Sequence, residues 1–181
     1  MSSVRYGSIK LYTGPMFAGK TSRMINDVDR YRLAKKNCII IRHSSDTRYT
    51  SDSTRILTHS GQEYAKTPIM LSDLLNVLDL TNYDVIGIDE VQFFPDCVEA
   101  IERLVAEGKI IVCACIDATY QVQPFGAVHI LAAMAEHVEK LTAICFDCGE
   151  SASFTARIST CTDEVEVGGL DKYIPVCRTC K

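Results

Sequence analysis

Apolar residues in this chain come in two patterns: short unbroken runs, and longer stretches where they recur every three or four positions. Ile9–Thr13 is the first short run and stops at Gly14, which predicts a strand. From about Lys20 to Lys36, Met24, Ile25, Val28 and Tyr31 fall near one face of a predicted helix. Cys38–Arg42 predicts a short buried strand. Ser44–His59, rich in Ser, Thr, Asp and Arg, predicts a loop. Pro68–Leu80 has helical spacing, with Ser72 or Asp73 in its early turn. Val85–Asp89 predicts a strand ending in acid. Pro95 suits the first turn of a helix over Asp96–Glu107, and Gly108 stops it. Ile110–Ile116 predicts a strand buried on both faces. Val128–His137 predicts a helix and Glu139–Ile144 a further strand.

Alternating strands and helices argue a parallel α/β sheet covered on both sides. The pattern breaks after Ile144. Residues 145–181 are richer in Gly, Ser, Thr and Cys, lack a long helical pattern, and read as a small appended unit. No internal repeat or low-complexity tract appears.

Composition narrows the functional classes. The 181 residues hold 47% hydrophobic and 23% charged side chains, the balance of a globular protein. No apolar run approaches the ~18 residues of a membrane span. The opening MSSVRYGSIK lacks the apolar core of a secretion signal, so a cytoplasmic location is expected. With 19 Lys plus Arg against 23 Asp plus Glu, a general nucleic-acid coat is not expected. Nine cysteines, an odd number, argue against a disulfide framework and for reduced thiols. Cys38, Cys113 and Cys115 lie in strand-like runs and read as small core residues. Cys97 and Cys161 have no assignable role. His43, His59, His129 and His137 show no metal spacing with the cysteines and read as surface or satisfied residues.

Gly14-Pro15-Met16-Phe17-Ala18-Gly19-Lys20-Thr21 matches G-x-x-x-x-G-K-[ST] between a predicted strand and a predicted helix. Phosphate needs several converging donors. The glycines let successive backbone N–H groups turn inward, and the helix presents its positive end to the same place. Lys20 can reach the β- and γ-phosphates, and the Thr21 hydroxyl can ligate Mg²⁺. Nucleotide binding is the expectation. The apolar strand before Asp89 and Glu90 delivers two carboxylates to the edge where sites form in parallel sheets. One acid can hold Mg²⁺ through water, while its neighbour accepts a proton from an attacking hydroxyl.

Cys145-x-x-Cys148 and Cys177-x-x-Cys180 supply four thiolates, which suits tetrahedral Zn²⁺. Free thiols or an iron–sulfur cluster are the other readings of the same residues. A zinc held by four protein ligands has no open position and is structural. The long segment between the pairs is then a loop with both feet pinned.

The phosphate loop GPMFAGKT, DTRY at Asp46–Tyr49, DEVQFFPD at Asp89–Asp96, KLTAxCxxC at Lys140–Cys148 and GGxDKYxxVCRxC at Gly168–Cys180 run in order along nearly the whole chain. Together they resemble the zinc-containing, cytosolic-type thymidine kinases. The resemblance implies a P-loop (RecA-like) parallel sheet with helices on both faces over residues 1–144. It implies a zinc-binding unit with a substrate-covering loop over 145–181. The implied reaction moves the γ-phosphoryl of ATP to the 5′-hydroxyl of thymidine, with deoxyuridine a further candidate, in pyrimidine salvage. Glu90 matches the catalytic base. Asp46, Thr47 and Arg48 match residues beside the phosphates, Arg48 steadying the migrating phosphoryl, and Gln92 joins the ATP side. Phe93, Tyr120 and Phe125 match the substrate side. Met16 and Thr155 match positions near the base's methyl group, and Val167, Gly168 and Tyr173 the loop over the nucleoside. The four paired cysteines match the zinc ligands. Relatives are commonly homotetramers inhibited by thymidine triphosphate.

Three positions depart from the family pattern. Val91 stands where many relatives have Gly and would be strained if that site needs a positive φ. Ala18 replaces a common Ser, at a position that needs only its backbone N–H. Val122-Gln123 replaces a basic pair. No long tail follows Cys180, so degradation through such a tail is not expected.

Two other classes compete with the kinase. A nucleotide-hydrolysing switch whose cysteine unit grips nucleic acid would cluster Lys and Arg there. Here Arg157, Lys172, Arg178 and Lys181 are outnumbered by Asp147, Glu150, Asp163, Glu164, Glu166 and Asp171. The stretch Tyr31–Lys36 is basic but reads as a solvated helix end. A catalytically dead nucleotide sensor would not need both Asp89 and Glu90.

Overall fold

The computed structural model of this chain describes residues 6–44, 56–57, 63–64, 69–74, 79–163 and 165–181. The chain runs through β1 (Ser8–Gly14), α1 (Lys20–Leu33) and β2 (Cys38–His43). A two-stranded ribbon, β3 (Ile56–Leu57) and β4 (Glu63–Tyr64), precedes β5 (Ile69–Leu71) and β6 (Val85–Asp89). A 3-10 turn at Val91–Phe93 then leads to α2 (Cys97–Ala106), β7 (Ile110–Ile116), α3 (Val128–Met134) and β8 (His137–Lys140). The remainder forms β9 (Ala143–Ile144), β10 (Ser151–Ala152), β11 (Phe154–Arg157) and β12 (Tyr173–Val176).

Six strands form one parallel sheet in the order β5-β2-β6-β7-β1-β8. Alternate side chains split into two cores. Ile9 and Leu11, Ile39 and Ile41, Ile86 and Ile88, and Ile111, Cys113 and Cys115 face α2 and α3. Tyr12, Ile40, Val112 and Ala114 face Met24, Ile25 and Val28 of α1. This period of two in four adjacent strands is why the runs read as apolar throughout. Helix α2 buries Cys97, Ala100, Ile101 and Leu104, the i, i+3, i+4, i+7 spacing of one face. Each large apolar side chain so buried contributes about 1.5–3 kcal/mol. Gly108, at φ 84, ends α2, with the Lys109 N–H donating to the Leu104 carbonyl.

Several expected elements differ. Pro68–Leu80 is not helical at its start: Ile69–Leu71 extends the sheet as an edge strand beside Ile41–His43. That pairing with neighbouring backbone overrides a weak helical spacing, and residues 75–78 lie outside the described set. The helix expected to His137 ends at Met134, because Ala135 turns extended at ψ 137. His137–Lys140 instead pairs with Lys10–Thr13. The strand expected over Glu139–Ile144 is therefore two short strands, since Ala143–Ile144 pairs with Ser151–Ala152. Within the expected loop 44–59, Ile56–Leu57 forms a ribbon with Glu63–Tyr64, while 45–55 and His59 are outside the described residues.

Cys97, Cys113 and Cys115 are fully buried, and Cys38 is half-buried beside the α1 core. Burial pushes the Cys115 thiol up to about 12, so it stays protonated and packs as an apolar group. Among the described residues no helix is long and apolar enough to cross a membrane.

Candidate active site

Strands β6, β7 and β1 are adjacent and parallel, β1 and β7 ending level at Gly14 and Ile116 and β6 two residues sooner at Asp89, so whatever follows them meets at one edge of the sheet. After Gly14 the chain turns through Phe17, at φ 66, and Gly19, at φ 78, before α1 begins at Lys20. Gly14 is required by contact: a Cβ there would lie 2.3 Å from the Leu141 carbonyl oxygen. The buried Lys20 ammonium donates to the Pro15 carbonyl at 2.6 Å, curled into the loop it would leave to meet a phosphate. Burial lowers its pKa, and Glu90, foremost among the surrounding charges, pulls it back up. The Thr21 hydroxyl donates to Asp89 at 2.9 Å. A hydroxyl and a carboxylate thus face one point beside the loop, as a shared cation would require.

Asp89 and Glu90 are both buried. Asp89 also lies 3.4 Å from the guanidinium of Arg42, its register partner on β2. Glu90 itself adopts the left-handed conformation, φ 53 and ψ 44. This answers the doubt over Val91, which is fully buried and not among the described residues with positive φ. Gln92 donates from Nε2 to the Glu90 carboxylate at 2.5 Å and accepts the Ile116 N–H at 3.3 Å. Both ends of the Gln92 amide are therefore used to fix Glu90 against β7.

Phe93, three residues beyond this acid, lines a mainly apolar cavity of about 150 Å³. Met16 reaches it from the phosphate loop, and Phe125 lines it with Phe93. Tyr120 and Thr155 form part of its wall, and Val167, Gly168 and Tyr173 close it from the C-terminal segment. Phe93 meets Phe125 edge-on, ring centroids 5.4 Å apart. Met16 ties the cavity to the phosphate loop, because its N–H donates to Thr155 Oγ1 at 3.0 Å. All eight residues expected on the substrate side thus line one space. Asp46, Thr47 and Arg48 lie outside the described residues.

Three neighbours were not anticipated. Asp117 follows Ile116 and bears on the charge of Lys20. Arg42 holds Asp89, and Glu166 joins the cavity wall. The first two had a signal in the chain, a charged residue directly after a strand's last apolar position, as at Asp89. Glu166 had none.

The sulfur atoms of Cys145, Cys148, Cys177 and Cys180 all lie within 4.8 Å of one another, and these four residues can hold one metal ion. Four thiolates at zinc's bond length of about 2.3 Å would stand about 3.8 Å apart. The Cys148 and Cys177 sulfurs are 3.6 Å apart. The Cys177 N–H, donating to the Cys145 sulfur at 3.3 Å, lowers that thiol to about 6, towards the thiolate a metal needs. Cys145 and Cys177 pack with Ala143, Ala152 and Val176, and Phe17 and Ala18 of the phosphate loop lie against this cluster.

The thymidine kinase family profile matches residues 7–181. Thymidine kinase 1 of Dictyostelium discoideum is 44% identical over 177 residues, covering 96% of this chain and 77% of that protein. The thymidine kinase of Monkeypox virus is 43% identical over 175 residues, covering 96% of each. Among solved structures, the flagellar accessory protein FlaH from Methanocaldococcus jannaschii aligns with a TM-score of 0.53 at 16% identity. It covers 82% of this chain and 76% of its own, a likeness of fold alone.

Proposed function

This chain belongs to the thymidine kinase family and is a kinase, and on that premise we propose how its own residues carry the reaction. ATP binds with its phosphates in the Gly14–Thr21 loop, and the thymine ring of the nucleoside occupies the cavity beside Met16. The observation that carries this reading is the single residue Met16, which belongs to the phosphate loop and lines the cavity. A nucleoside seated there has its sugar directed to the loop, close to Glu90.

Glu90 accepts the proton of the 5′-hydroxyl as that oxygen attacks the γ-phosphorus. The bond from the γ-phosphorus to the ADP oxygen breaks, and thymidine monophosphate and ADP leave. Gln92 holds the carboxylate for this step. Lys20 exchanges its contact with the Pro15 carbonyl for the phosphates. Asp46, Thr47 and Arg48 are assigned to the phosphates by family resemblance, Arg48 to the migrating group. Thr21 and Asp89 would hold Mg²⁺, which supplies charge neutralisation at the phosphates. The four cysteines would hold zinc, which supplies a rigid anchor and no chemistry. Tyr120, Phe125 and Phe93 supply aromatic area to the base, while Val167, Gly168 and Tyr173 exclude water from the reacting groups. Residues 1–144 form the nucleotide-binding part and 145–181 the anchored cover.

Because cavity and phosphate loop adjoin, thymidine triphosphate can span both with its own base and phosphates. This supports feedback inhibition by that nucleotide. The homotetramer and the cytoplasmic setting extend the reading by family resemblance.

The test supplies ATP with thymidine, deoxyuridine, deoxycytidine or deoxyadenosine in turn. Phosphorylation of thymidine is expected, and activity confined to purine or cytosine nucleosides would overturn the reading. Glu90→Gln should keep ATP and thymidine binding while transfer drops by ~10²-fold or more.

A further inference from the structure

Arg157 closes β11, and its side chain is only 3% exposed, yet it does not line the cavity. Its guanidinium instead reaches the segments that do. Nη1 donates to the carbonyls of Cys161, at 3.1 Å, and Asp163. Nη2 donates to the Tyr173 hydroxyl at 2.7 Å. That hydroxyl in turn donates to the Glu166 carbonyl at 3.0 Å and accepts the Glu166 N–H at 3.2 Å. Nε lies 3.9 Å from the Glu166 carboxylate. The central carbon of the group lies over the Tyr120 ring, 4.0 Å from its centroid.

Tyr120, Glu166 and Tyr173 come from three separate stretches of chain, and all three bound the cavity. One buried side chain therefore joins the turn bearing Tyr120, the crossing loop and β12. The chemistry demands arginine. Two carbonyls at Nη1, a hydroxyl at Nη2 and an aromatic ring under the charge use a planar fork with five donors. A lysine ammonium is a point charge with no such plane. The Tyr120 ring adds a desolvated cation–π contact.

We propose that Arg157 is the positioning residue of the nucleoside side, holding the covering loop and Tyr120 in the arrangement that receives the base. This rests on the reading that the cavity takes the nucleoside. An ordered wall binds without the entropy loss of ordering a loose one, so its worth appears in nucleoside affinity. Removing it costs binding that is equal in the ground and transition states, which raises KM and leaves kcat in place. On the proposed reading ATP contacts the Gly14–Thr21 loop, and the contacts of Arg157 given above include no residue of that loop.

Arg157→Gln and Arg157→Lys, with full metal content, are assayed with thymidine and ATP as varied substrates beside the wild type. Both variants are expected to raise the thymidine KM by about tenfold or more, with kcat within about threefold and the ATP KM within about twofold. A role in overall folding alone would lower the active fraction, so kcat would drop with both KM values unchanged, and that result overturns the proposal. So would an unchanged thymidine KM, full function in Arg157→Lys, or failure of both variants to fold. The wild type reports on the nucleoside reading separately. Thymidine phosphorylation upholds that reading whatever the variants do, and its absence overturns both.

Discussion

Gly126→Ala tests how the acid is held. Gly126 sits at φ 52, and a Cβ built there would lie 2.7 Å from the carbonyl oxygen of Gln92. Both groups are backbone, so no side chain can swing aside. The left-handed conformation costs an L-residue roughly 1–2 kcal/mol. Opening the contact by a few tenths of an ångström adds overpacking strain of roughly 1–3 kcal/mol. The stiffer unfolded chain offsets about 0.4–1 kcal/mol. A net loss of about 2–3 kcal/mol follows, which for this size lowers Tm by about 4–12 °C. The displaced Gln92 also carries the hydrogen bond to Glu90, so the chemistry should suffer. A misplacement of ~1 Å can cost ~10²-fold, and a shift under half of that should cost kcat about tenfold. Thermal unfolding and steady-state kinetics measure the two effects. Gly126→Asn separates their causes, since Asn tolerates positive φ but still carries a Cβ. Asn should recover part of the Tm loss and little of the kcat loss. Wild-type Tm and kcat in Gly126→Ala would refute the argument.

Other expectations concern the metal, the acid limb and one strained turn. Stripping the metal with a strong chelator should weaken ATP binding as well as lower Tm, because Phe17 and Ala18 rest on the cluster containing Cys145 and Cys177; unchanged ATP affinity in metal-free protein, read by titration calorimetry, would disprove that link. Burial pushes the Asp27 carboxyl up, but hydrogen bonds from Lys10 and Tyr12 more than offset it, and its pKa is lowered. A depressed carboxylate contributes stability above its unfolded pKa of about 4 and loses it as pH falls through the folded value. Asp27→Asn should therefore be less stable at neutral pH and show a flatter decline below pH ~4 than the wild type; parallel acid limbs would contradict this. Val122, a β-branched residue at φ 63, follows Tyr120 in a turn closed by its own N–H on the Thr119 carbonyl. Val122→Asn should relieve about 1 kcal/mol and raise Tm by about 2–4 °C, and a lower Tm would count against the strain.

Where the chain's chemistry is local, its sequence is transparent. The phosphate loop needs glycine, lysine and threonine in contiguous order, and the paired cysteines need only their spacing. Strands β6 and β7 were legible to the residue because both faces are buried and the apolar run begins and ends with the strand. The Ile69–Leu71 edge was not, since three residues carry no period and their strand character comes from β2 alongside. The end of α3 was missed because Val128–His137 stays compatible with a helix throughout, and only pairing with β1 decides the last residue. At the site, identity was legible and support was not. Glu90 follows from its strand, but Arg42, Asp117 and Arg157 act through partners outside their own elements. Arg157 could be read only as one of a few bases in an acidic tail.

The left-handed non-glycine residues show where local preference yields to the site. Lys35 ends α1, while Phe17, Glu90 and Val122 lie in the phosphate loop, at the acid and beside the turn bearing Tyr120. Each runs against its own preference by roughly 1–2 kcal/mol, and packed surroundings hold it there. For Glu90 the constraint is specific. Glycine would relax the backbone but remove the carboxylate, while aspartate would keep the charge and fall one methylene short of Gln92 Nε2. Glutamate alone provides both the reach and the charge, so the strain at residue 90 is the cost of placing a carboxylate between β6 and the phosphate loop. Glu90→Gln preserves the reach and the strain while removing the charge, so on the proposed base role a loss of turnover in that variant belongs to the proton and not to the backbone.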